Sequence, residues 1–356
     1  VKISQEGWTS AGTVVLANGR NYPDALAGVP YAHALNAPVL LTEADSLVAA
    51  TKAEIVRLGA AKVIILGGTG VISDDVAEEL EDLGLAVERI SGADRYETAA
   101  AIAAQVAPAG VDTVVLAYGR GYADALAAAS YAAVNGYPIL LTEKNSLPDA
   151  TKKAIEDLGA TNVIVVGGTG VIAANTVSGL PGVTRVSGSN REATSVALAE
   201  HFAPQTNMFF IATGDGFADA ITGAVLAAKE GTGILLVRSS FPSVVGDFFG
   251  AANVVEAIVF GGTGVVSETI ATAAAKKLTP AGGTGIAGWT TANAVVKVGS
   301  RTTTADKYGF YMLTGIAPGK QTVSVTLDNY EIAAKSVNVT KDKIAVLDVE
   351  LAAIKA

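Results

Sequence analysis

Cysteine is absent from this chain of 356 residues, and histidine occurs only at His33 and His201. Disulfides and thiolate metal sites are therefore excluded, and we expect neither a histidine-built metal site nor a cofactor. No apolar run approaches the ~20 residues that span a bilayer, so no membrane span is expected. Lys and Arg number 25 against 34 Asp and Glu, a net charge of −9 that argues against nucleic acid as a partner.

Hydrophobic residues, in contrast, make up 50% of the chain. That share, at this length, supports large cores and two or more domains. The chain starts at Val1 without the charged and apolar regions of an export signal. The compartment must therefore be inferred from other features.

The most distinctive feature is a glycine-rich segment that occurs three times: GGTGVIS at 67–73, GGTGVIA at 167–173 and GGTGVVS at 261–267. A dinucleotide-binding enzyme needs one such loop per cofactor, with an acidic ribose-binding residue about 20 residues on. The segment TVVLANGRNYPDALAGVPYA at 13–32 also returns at 113–132 and, more loosely, at 209–227. This spacing exceeds the 20 to 50 residues of a solenoid unit. Each repeat is therefore a small domain.

Within a repeat, short apolar runs alternate with helical patterns. Strands that are apolar throughout, such as Val63–Leu66, favour a parallel sheet covered by helices on both faces. An aspartate precedes each Ala-rich helix, and we predict that it is the helix N-cap and structural, at Asp24, Asp124 and Asp219. Asp94 and Glu97 have the spacing of a capping box.

The segments GTVVLANGRNYPDALA, PVLLT, KVIILGGTGVIS and RISGADRYETAAAIA together resemble the type 2 cell-wall-binding repeats of Gram-positive surface proteins. The resemblance covers roughly residues 1–278 and implies Rossmann-like or Toprim-like α/β repeats with parallel sheets about a pseudo-threefold axis. We predict repeats at 1–88, 89–184 and 185–280. The first lacks its leading strand and helix, and the third has no obvious closing strand. Either a segment outside the given sequence completes this edge or another segment fills it, because an unpaired strand edge promotes aggregation.

The composition changes after residue 280 to alternating Val- and Thr-rich runs. Period-two strands with Gly, Asn and Asp turns predict a small antiparallel all-β sandwich at 285–356. DKYGFYMLTGIAPGKQTVSV at 306–325 resembles the carboxypeptidase-regulatory-like domain. That resemblance implies an extracellular spacer or adhesion unit without a catalytic constellation.

Arginines are the first candidates for a polymer-binding site, because guanidinium groups match phosphates and carboxylates bidentately. One group flanks the repeat junctions and another lies in the GRxYxDA segments: Arg89, Arg95, Arg185, Arg191, Arg20 and Arg120. Inter-repeat salt bridges are the structural alternative for the junction residues. The third repeat has Asp215 in place of the GRxYxDA arginine, so a site that uses this position is altered there.

Two further sets are candidates. The resemblance places polymer anchoring at an Ile-Leu-Leu strand, which here comprises Val39, Leu40, Leu41, Ile139, Leu140, Leu141, Ile234, Leu235 and Leu236. Such runs are also what a buried strand looks like. The glycine loops carry hydroxyls suited to an anion or sugar at Thr69, Thr169 and Thr263, although glycine loops also serve tight βα turns.

The resemblance implies non-catalytic anchoring to the Gram-positive cell wall through an anionic secondary wall polymer. Three weak sites on one frame gain avidity, which explains the repetition better than catalysis does. The expected location is extracellular, at the cell wall or cell surface, with other surface-layer subunits as further partners. The alternatives are an S-layer or adhesin assembly protein and, less favoured, a nucleotide- or phosphate-binding enzyme, for which no lysine follows the glycine loops.

Overall fold

The computed structural model describes residues 1–278, 284–306, 309–341 and 343–354. These form two compact units, one of residues 1–245 with 258–266 and the other of 246–257 with 267 onward. Among the described residues, no helix combines the length and apolar character needed to cross a membrane. The predicted end of the third repeat at residue 280 lies outside the described residues.

The first two repeats have the same order of elements. The first contains α1 (Lys2–Gly7), β1 (Thr13–Asn18), α2 (Pro23–Ala34), β2 (Val39–Thr42), α3 (Ala49–Leu58), β3 (Lys62–Leu66), α4 (Asp74–Asp82) and β4 (Ala86–Ile90). The second contains α5 (Arg95–Val106), β5 (Thr113–Tyr118), α6 (Ala123–Val134), β6 (Ile139–Thr142), α7 (Asp149–Asp157), β7 (Asn162–Val166), α8 (Ala174–Val177) and β8 (Val183–Val186).

The third repeat is shorter in strands. It contains α9 (Arg191–Phe202), β9 (Met208–Thr213), α10 (Ala218–Lys229), β10 (Ile234–Val237), α11 (Ser243–Ala251), β11 (Glu256–Val259) and α12 (Glu268–Ala275). Its sheet has the order β10-β9-β11, with three strands among the described residues. This sheet has no fourth strand among the described residues, which omit 279–283, and the lack of a closing strand stays a prediction.

Parallel pairing defines the first two sheets, whose orders are β2-β1-β3-β4 and β6-β5-β7-β8. Strand β1 pairs with β2 on one side and β3 on the other, so the chain reverses its direction of winding between β1 and β3. Open sheets of this kind bind ligands at such a switch point, outside the carboxyl ends of the strands. The predicted Rossmann-like α/β fold is confirmed.

Three central helices, α2, α6 and α10, pack against one another. They are Ala-rich and buried along most of their length, as expected of helices without a polar face. At their N-terminal ends the rings of Tyr22, Tyr122 and Phe217 meet, with centroids 5.4 to 5.8 Å apart. This arrangement confirms the predicted pseudo-threefold axis.

Linking helices join neighbouring repeats. Helix α5 packs on α2 of the first repeat and on α7 and β6 of the second, and α9 likewise packs on α6 and β10. The short helix α1 packs on α10, and its Ser4 Oγ donates to Glu54 Oε1 of α3 at 2.6 Å. Helix α1 therefore closes the ring by linking the third repeat to the first.

The C-terminal strands form a sandwich. They are β12 (Gly285–Trp289), β13 (Val295–Val298), β14 (Arg301–Thr304), β15 (Phe310–Thr314), β16 (Gly319–Thr326), β17 (Ala333–Val339) and β18 (Ile344–Val346). The two sheets, β15-β12-β18 and β14-β13-β16-β17, share one core that includes Ile286, Val296 and Val323. The all-β sandwich is confirmed, but the prediction of a purely antiparallel domain was wrong. Strand β18 pairs with β12 in parallel, because the chain returns to that sheet edge in the direction of β12.

Candidate functional site

The candidate site of each repeat is a crevice at the carboxyl ends of the two central strands. In the first repeat, the loops after β1 and β3 are tied together by Asn18, whose Nδ2 donates to the Val71 carbonyl at 2.6 Å. The Asn18 side-chain oxygen accepts from the backbone N–H of Arg20 at 2.7 Å. The loop after β1 and the glycine-rich loop after β3 therefore face each other across the switch point.

An aspartate of the first helical turn lies in this crevice. The prediction that Asp24, Asp124 and Asp219 are N-caps was wrong. Each aspartate is the second residue of its helix, and the N-cap is the aromatic residue two positions earlier, whose side chain makes no capping hydrogen bond. Their carboxylates approach the first glycine of the loop instead. A Cβ on Gly67 would lie 2.5 Å from Asp24 Oδ2, and the matching distances in the other repeats are 2.8 and 2.9 Å.

The first loop glycine also has a positive φ in every repeat, between 99° and 107°. A residue with a side chain would be strained there by its backbone and would collide with the aspartate. The GGTG segment is therefore required for the approach of strand, loop and carboxylate.

Burial changes the acidity of these carboxyl groups. Asp24 is 6% exposed, and burial raises its pKa to about 6 against the opposing effect of Arg95. Burial also raises the pKa of Asp124, while a hydrogen bond with Thr194 and the charge of Arg191 oppose the shift. Burial is thus the larger influence on the pKa of both carboxyl groups, although charged or hydrogen-bonding partners oppose it.

Arginines at the start of the linking helices bond to the loop after the first strand of the same repeat. Arg95 Nη1 donates to the Gly119 carbonyl at 2.6 Å, and Arg191 Nη1 donates to the equivalent Gly214 carbonyl. Both helices are capped from within the same loops, Asp94 accepting from Tyr96 and Glu97 and Asn190 accepting from Ala193. The predicted cap at Asp94 is confirmed, and Glu97 accepts from the Ala93 N–H at 2.8 Å.

Arg89 and Arg185 donate hydrogen bonds to backbone carbonyls of the glycine loops. Arg89 Nη1 donates to the carbonyls of Gly67 and Ile72 at 3.0 and 2.8 Å, and Arg185 Nη1 donates to the Gly167 carbonyl at 2.6 Å. Arg89 also pairs with Asp74 within its own repeat at 3.2 Å. These two arginines hold their loops in place, and their role in polymer binding stays a prediction.

An ion pair lies at the same place in each repeat, between residues 23 apart. Arg20 pairs with Glu43 at 2.8 Å and Arg120 with Glu143 at 2.6 Å. In the third repeat the positions are taken by Asp215 and Arg238, which pair at 2.7 Å. The pair is retained with its polarity reversed.

A third residue changes together with this pair. Tyr96 at the start of α5 donates its hydroxyl to Glu143 Oε1 at 2.6 Å, and together with Arg120, the stronger partner, it lowers the pKa of Glu143. In α9 the matching residue is Glu192, which lies 3.9 Å from Arg238. Each linking helix is thus held by an attractive contact to its own repeat, beside the junction.

The remaining predicted residues fall into two environments. The Ile-Leu-Leu side chains of β2, β6 and β10 are buried except for Leu41, which is half-buried. Their side chains pack in the core, so polymer contact by this strand stays untested. Thr69, Thr169 and Thr263 are exposed on their loops, where their hydroxyls are available to a ligand.

A crevice between the second and third repeats has a volume of about 740 Å³. Its lining brings together Asp124, Lys144, Arg191, Glu192, Arg238 and the glycine loop at 168–171. Sequence reasoning missed Lys144, Glu192 and Arg238 as site residues. The signal that identifies Arg238 is the constant 23-residue spacing to a residue of opposite charge.

Three features bear on nucleotide or hydrolytic chemistry. Among the described residues, no three His, Asp or Glu side chains cluster as metal ligands would. Helix α4, which follows the first glycine loop, carries Asp74 and Asp75 in its first turn, where they would repel a phosphate. The Ser195 hydroxyl donates to the Glu192 carbonyl and accepts from the Leu236 N–H, so its bonds serve the fold.

Comparisons with known proteins agree with this geometry. The chain is 37% identical over 272 residues to the N-acetylmuramoyl-L-alanine amidase LytC of Bacillus subtilis, covering 76% of this chain and 54% of that protein. The structure of this chain is similar to that of Cwp6 (TM-score 0.71, 26% identity) and that of Cwp8 (TM-score 0.69, 28% identity) from Clostridium difficile. Each comparison covers 78% of this chain, and 45% and 48% of the two solved chains. The chain thus spans about half the length of these relatives.

The family model for cell wall binding domain 2 matches residues 1–77, 89–177 and 185–271. These matches include the three glycine loops, the three crevice aspartates and the ion-pair positions. They cover most of the chain and correspond to its three α/β repeats. The chain therefore belongs to the cell wall binding domain 2 family.

Proposed function

We propose that the three repeats form a non-catalytic module that anchors a surface protein to the Gram-positive cell wall by non-covalent binding of an anionic secondary wall polymer. Family membership supports the association with the cell wall. The extracellular location, the anionic polymer and contacts with surface-layer subunits are parts of the proposal. The similarity to LytC is confined to about half of that protein, so its amidase activity is not carried over.

The observation that carries the proposal is the repetition of one crevice. Each repeat sets an aspartate against a positive-φ glycine. At the first two junctions an arginine of the linking helix bonds a glycine carbonyl in the loop after the first strand of its own repeat. Ligand sites held on one rigid frame raise the effective concentration for a polymer with repeated units, so modest single-site affinity gives firm attachment. An enzyme gains nothing comparable from three crevices that lack converging reactive groups.

Co-sedimentation of the purified chain with isolated cell walls tests this proposal. One wall sample is intact and the other has been chemically stripped of its secondary polymer. We expect the chain to sediment with intact walls and to remain in solution with stripped walls. Equal binding to both samples would contradict the proposed polymer, and assembly into sheets without any wall would favour the S-layer role.

A further inference from the structure

The crevices at the first and second junctions have the same backbone but different charges. Three cations line the second one, Lys144, Arg191 and Arg238, together with the carboxylates of Asp124 and Glu192. The 740 Å³ crevice lies within the range of about 300–1,000 Å³ that small-ligand sites have. Its cations come from the second and third repeats, so the site exists only where these two repeats pack together.

At the first junction, the positions of the three cations are held by Ala44, Arg95 and Glu143 in the same order. The positions of the two carboxylates are held by Asp24 and Tyr96. These equivalences rest on contacts as well as on spacing. Arg95 and Arg191 each bond the equivalent glycine carbonyl of their own repeat, and the Tyr96–Glu143 contact corresponds to Glu192–Arg238. Among these crevice positions, one cation stands with two carboxylates at the first junction, and three cations stand with two carboxylates at the second. The ion-pair partners outside these positions are Arg120 at the first junction and Asp215 at the second, where Asp215 pairs with both Arg191 and Arg238.

Arg238 retains donors for a ligand despite its ion pairs. Its contacts with Asp215 and Glu192 are made through Nε, and a guanidinium has five N–H donors. Lys144 is exposed next to it in the same crevice. The N-terminus of the 12-residue helix α9 begins at Arg191, and its dipole adds to the attraction for an anion there.

We propose that the crevice framed by Lys144, Arg191 and Arg238 accepts an anionic substituent, a sugar-linked phosphate or carboxylate, while the first-junction crevice accepts an uncharged part of the same polymer. This inference rests on the proposed function and assigns different ligand chemistry to two of its sites. The reversed ion pair contributes to the difference, because it places Arg238 in the lining of the second crevice, whereas the equivalent position at the first junction is Glu143. The polymer is thereby held in one register.

Titration of the full chain by ¹H–¹⁵N NMR tests the assignment, with glucose 1-phosphate as the anionic probe and methyl glucoside as the neutral one. We expect glucose 1-phosphate to shift the Gly168 and Gly170 amides, which line the second crevice. Lys144→Ala introduces the residue of the first repeat at an exposed position. It should weaken this binding about tenfold, since a charge-assisted hydrogen bond to the anion is lost.

Exchange of the charge pattern provides the matched variants. Combining Lys144→Ala with Glu192→Tyr, Asp215→Arg and Arg238→Glu gives the second junction the charges of the first, keeps an ion pair in place, and should abolish the phosphate-induced shifts. In the reciprocal variant, Ala44→Lys is combined with Tyr96→Glu, Arg120→Asp and Glu143→Arg. This variant should gain phosphate-induced shifts at the Gly68 and Gly70 amides.

Undiminished phosphate binding by the first exchange variant, or no binding by the unchanged chain, would overturn the assignment. Either result would leave the wall-binding proposal in place, provided that the unchanged chain still distinguishes intact from stripped walls. Failure of the unchanged chain in that co-sedimentation would instead contradict the proposed function. A sulfonate probe that binds equally to both exchange variants would also count against a built site at the second junction.

Discussion

The first and second junctions show how a repeated frame can carry different surfaces. At both, a linking helix begins with an arginine that bonds a glycine carbonyl of its own repeat. Beside the first junction lies the cluster of Tyr96, Arg120 and Glu143. Beside the second, the same positions hold Glu192, Asp215 and Arg238. The arginine bonds to backbone carbonyls keep the same geometry at both junctions. The ion pair beside them can reverse its polarity, provided that both of its residues and the neighbouring side chain change together.

The ring closure between the third repeat and the first differs again. Here α1 supplies Ser4 to the buried carboxylate of Glu54, which also pairs with Arg57 at 2.7 Å. The matching contact between α5 and α7 has Ala104 and Ala154, which line a groove of about 350 Å³. A polar network at one junction and small apolar side chains at another can thus hold the same helix arrangement.

The largest effect is expected at this closure, from Trp8→Ala. Trp8 is 3% exposed, donates its Nε1–H to the Asn36 carbonyl at 2.9 Å and packs under Lys229. Loss of a buried indole of this kind costs about 3–5 kcal/mol. Urea unfolding should show this decrease, whereas Val56→Ala, at a position 65% exposed, should change the free energy by less than about 0.5 kcal/mol. Similar losses in the two variants would mean that α1 does not hold the ring together.

A second effect concerns the buried aspartate of the first crevice. Its folded-state pKa of about 6 exceeds the ordinary value of 3.8, so the native state holds its proton more tightly than the unfolded state does. Stability from this group is present below pH about 4 and is lost as the pH rises to about 6. At pH 7 the ionised carboxylate costs about 2–3 kcal/mol, at 1.4 kcal/mol per pKa unit.

Asp24→Asn should therefore raise the free energy of unfolding at pH 7 by up to that amount and flatten its pH dependence between pH 4 and 6. Urea titrations at several pH values measure both quantities. Glu78→Gln, at an exposed position of α4, is the matched control and should leave the profile unchanged. An identical pH profile for Asp24→Asn and the unchanged chain would contradict the burial argument.

An intermediate effect is expected for the arginine–carbonyl bond that the two junctions share. Arg95→Ala and Arg191→Ala each remove a charged donor from a glycine carbonyl, which should cost about 1–2 kcal/mol. The Gly119 carbonyl also accepts from Tyr22 Oη at 3.1 Å. The double variant Arg95→Ala, Tyr22→Phe should therefore lose more than the sum of the single losses, because no side-chain donor that we identify then remains for this oxygen. Strict additivity in urea unfolding would show that the two donors act independently.

The smallest effect is expected for the ion pair whose polarity differs between the repeats. Asp215→Arg alone places like charges beside Arg191 and Arg238 and should lower the melting temperature at low salt. Added salt should reduce this difference, because the groups are exposed and screened. Addition of Arg238→Glu should restore most of the loss, and failure to restore it would contradict an interchangeable pair.

The sequence predicted the repeated architecture because the information is local and occurs three times. Apolar strands, glycine loops and aspartates at matched spacings identify the parallel sheets and the switch point. Helix capping at Asp94 was also predictable, since the cap is made within three residues. The resemblance on these same segments supplied the threefold arrangement.

The crevice charges were not predictable in the same way. Asp24 precedes an Ala-rich helix as an N-cap would, and only the position of the glycine loop, more than 40 residues later, shows that its carboxylate is buried. The substitutions at Asp215 and Arg238 look like two independent departures in the sequence. Their contact across the strand ends shows that they are one exchange. The docking of α1 depends likewise on α3 and α10, far along the chain.

A structure of the chain with bound fragments of the wall polymer tests the central claim most directly. The account predicts polymer in the crevices at the strand ends, with an acidic group between Lys144 and Arg238 and an uncharged segment beside Glu143. Polymer bound away from these crevices, or an acidic group placed equally at both junctions, would contradict it.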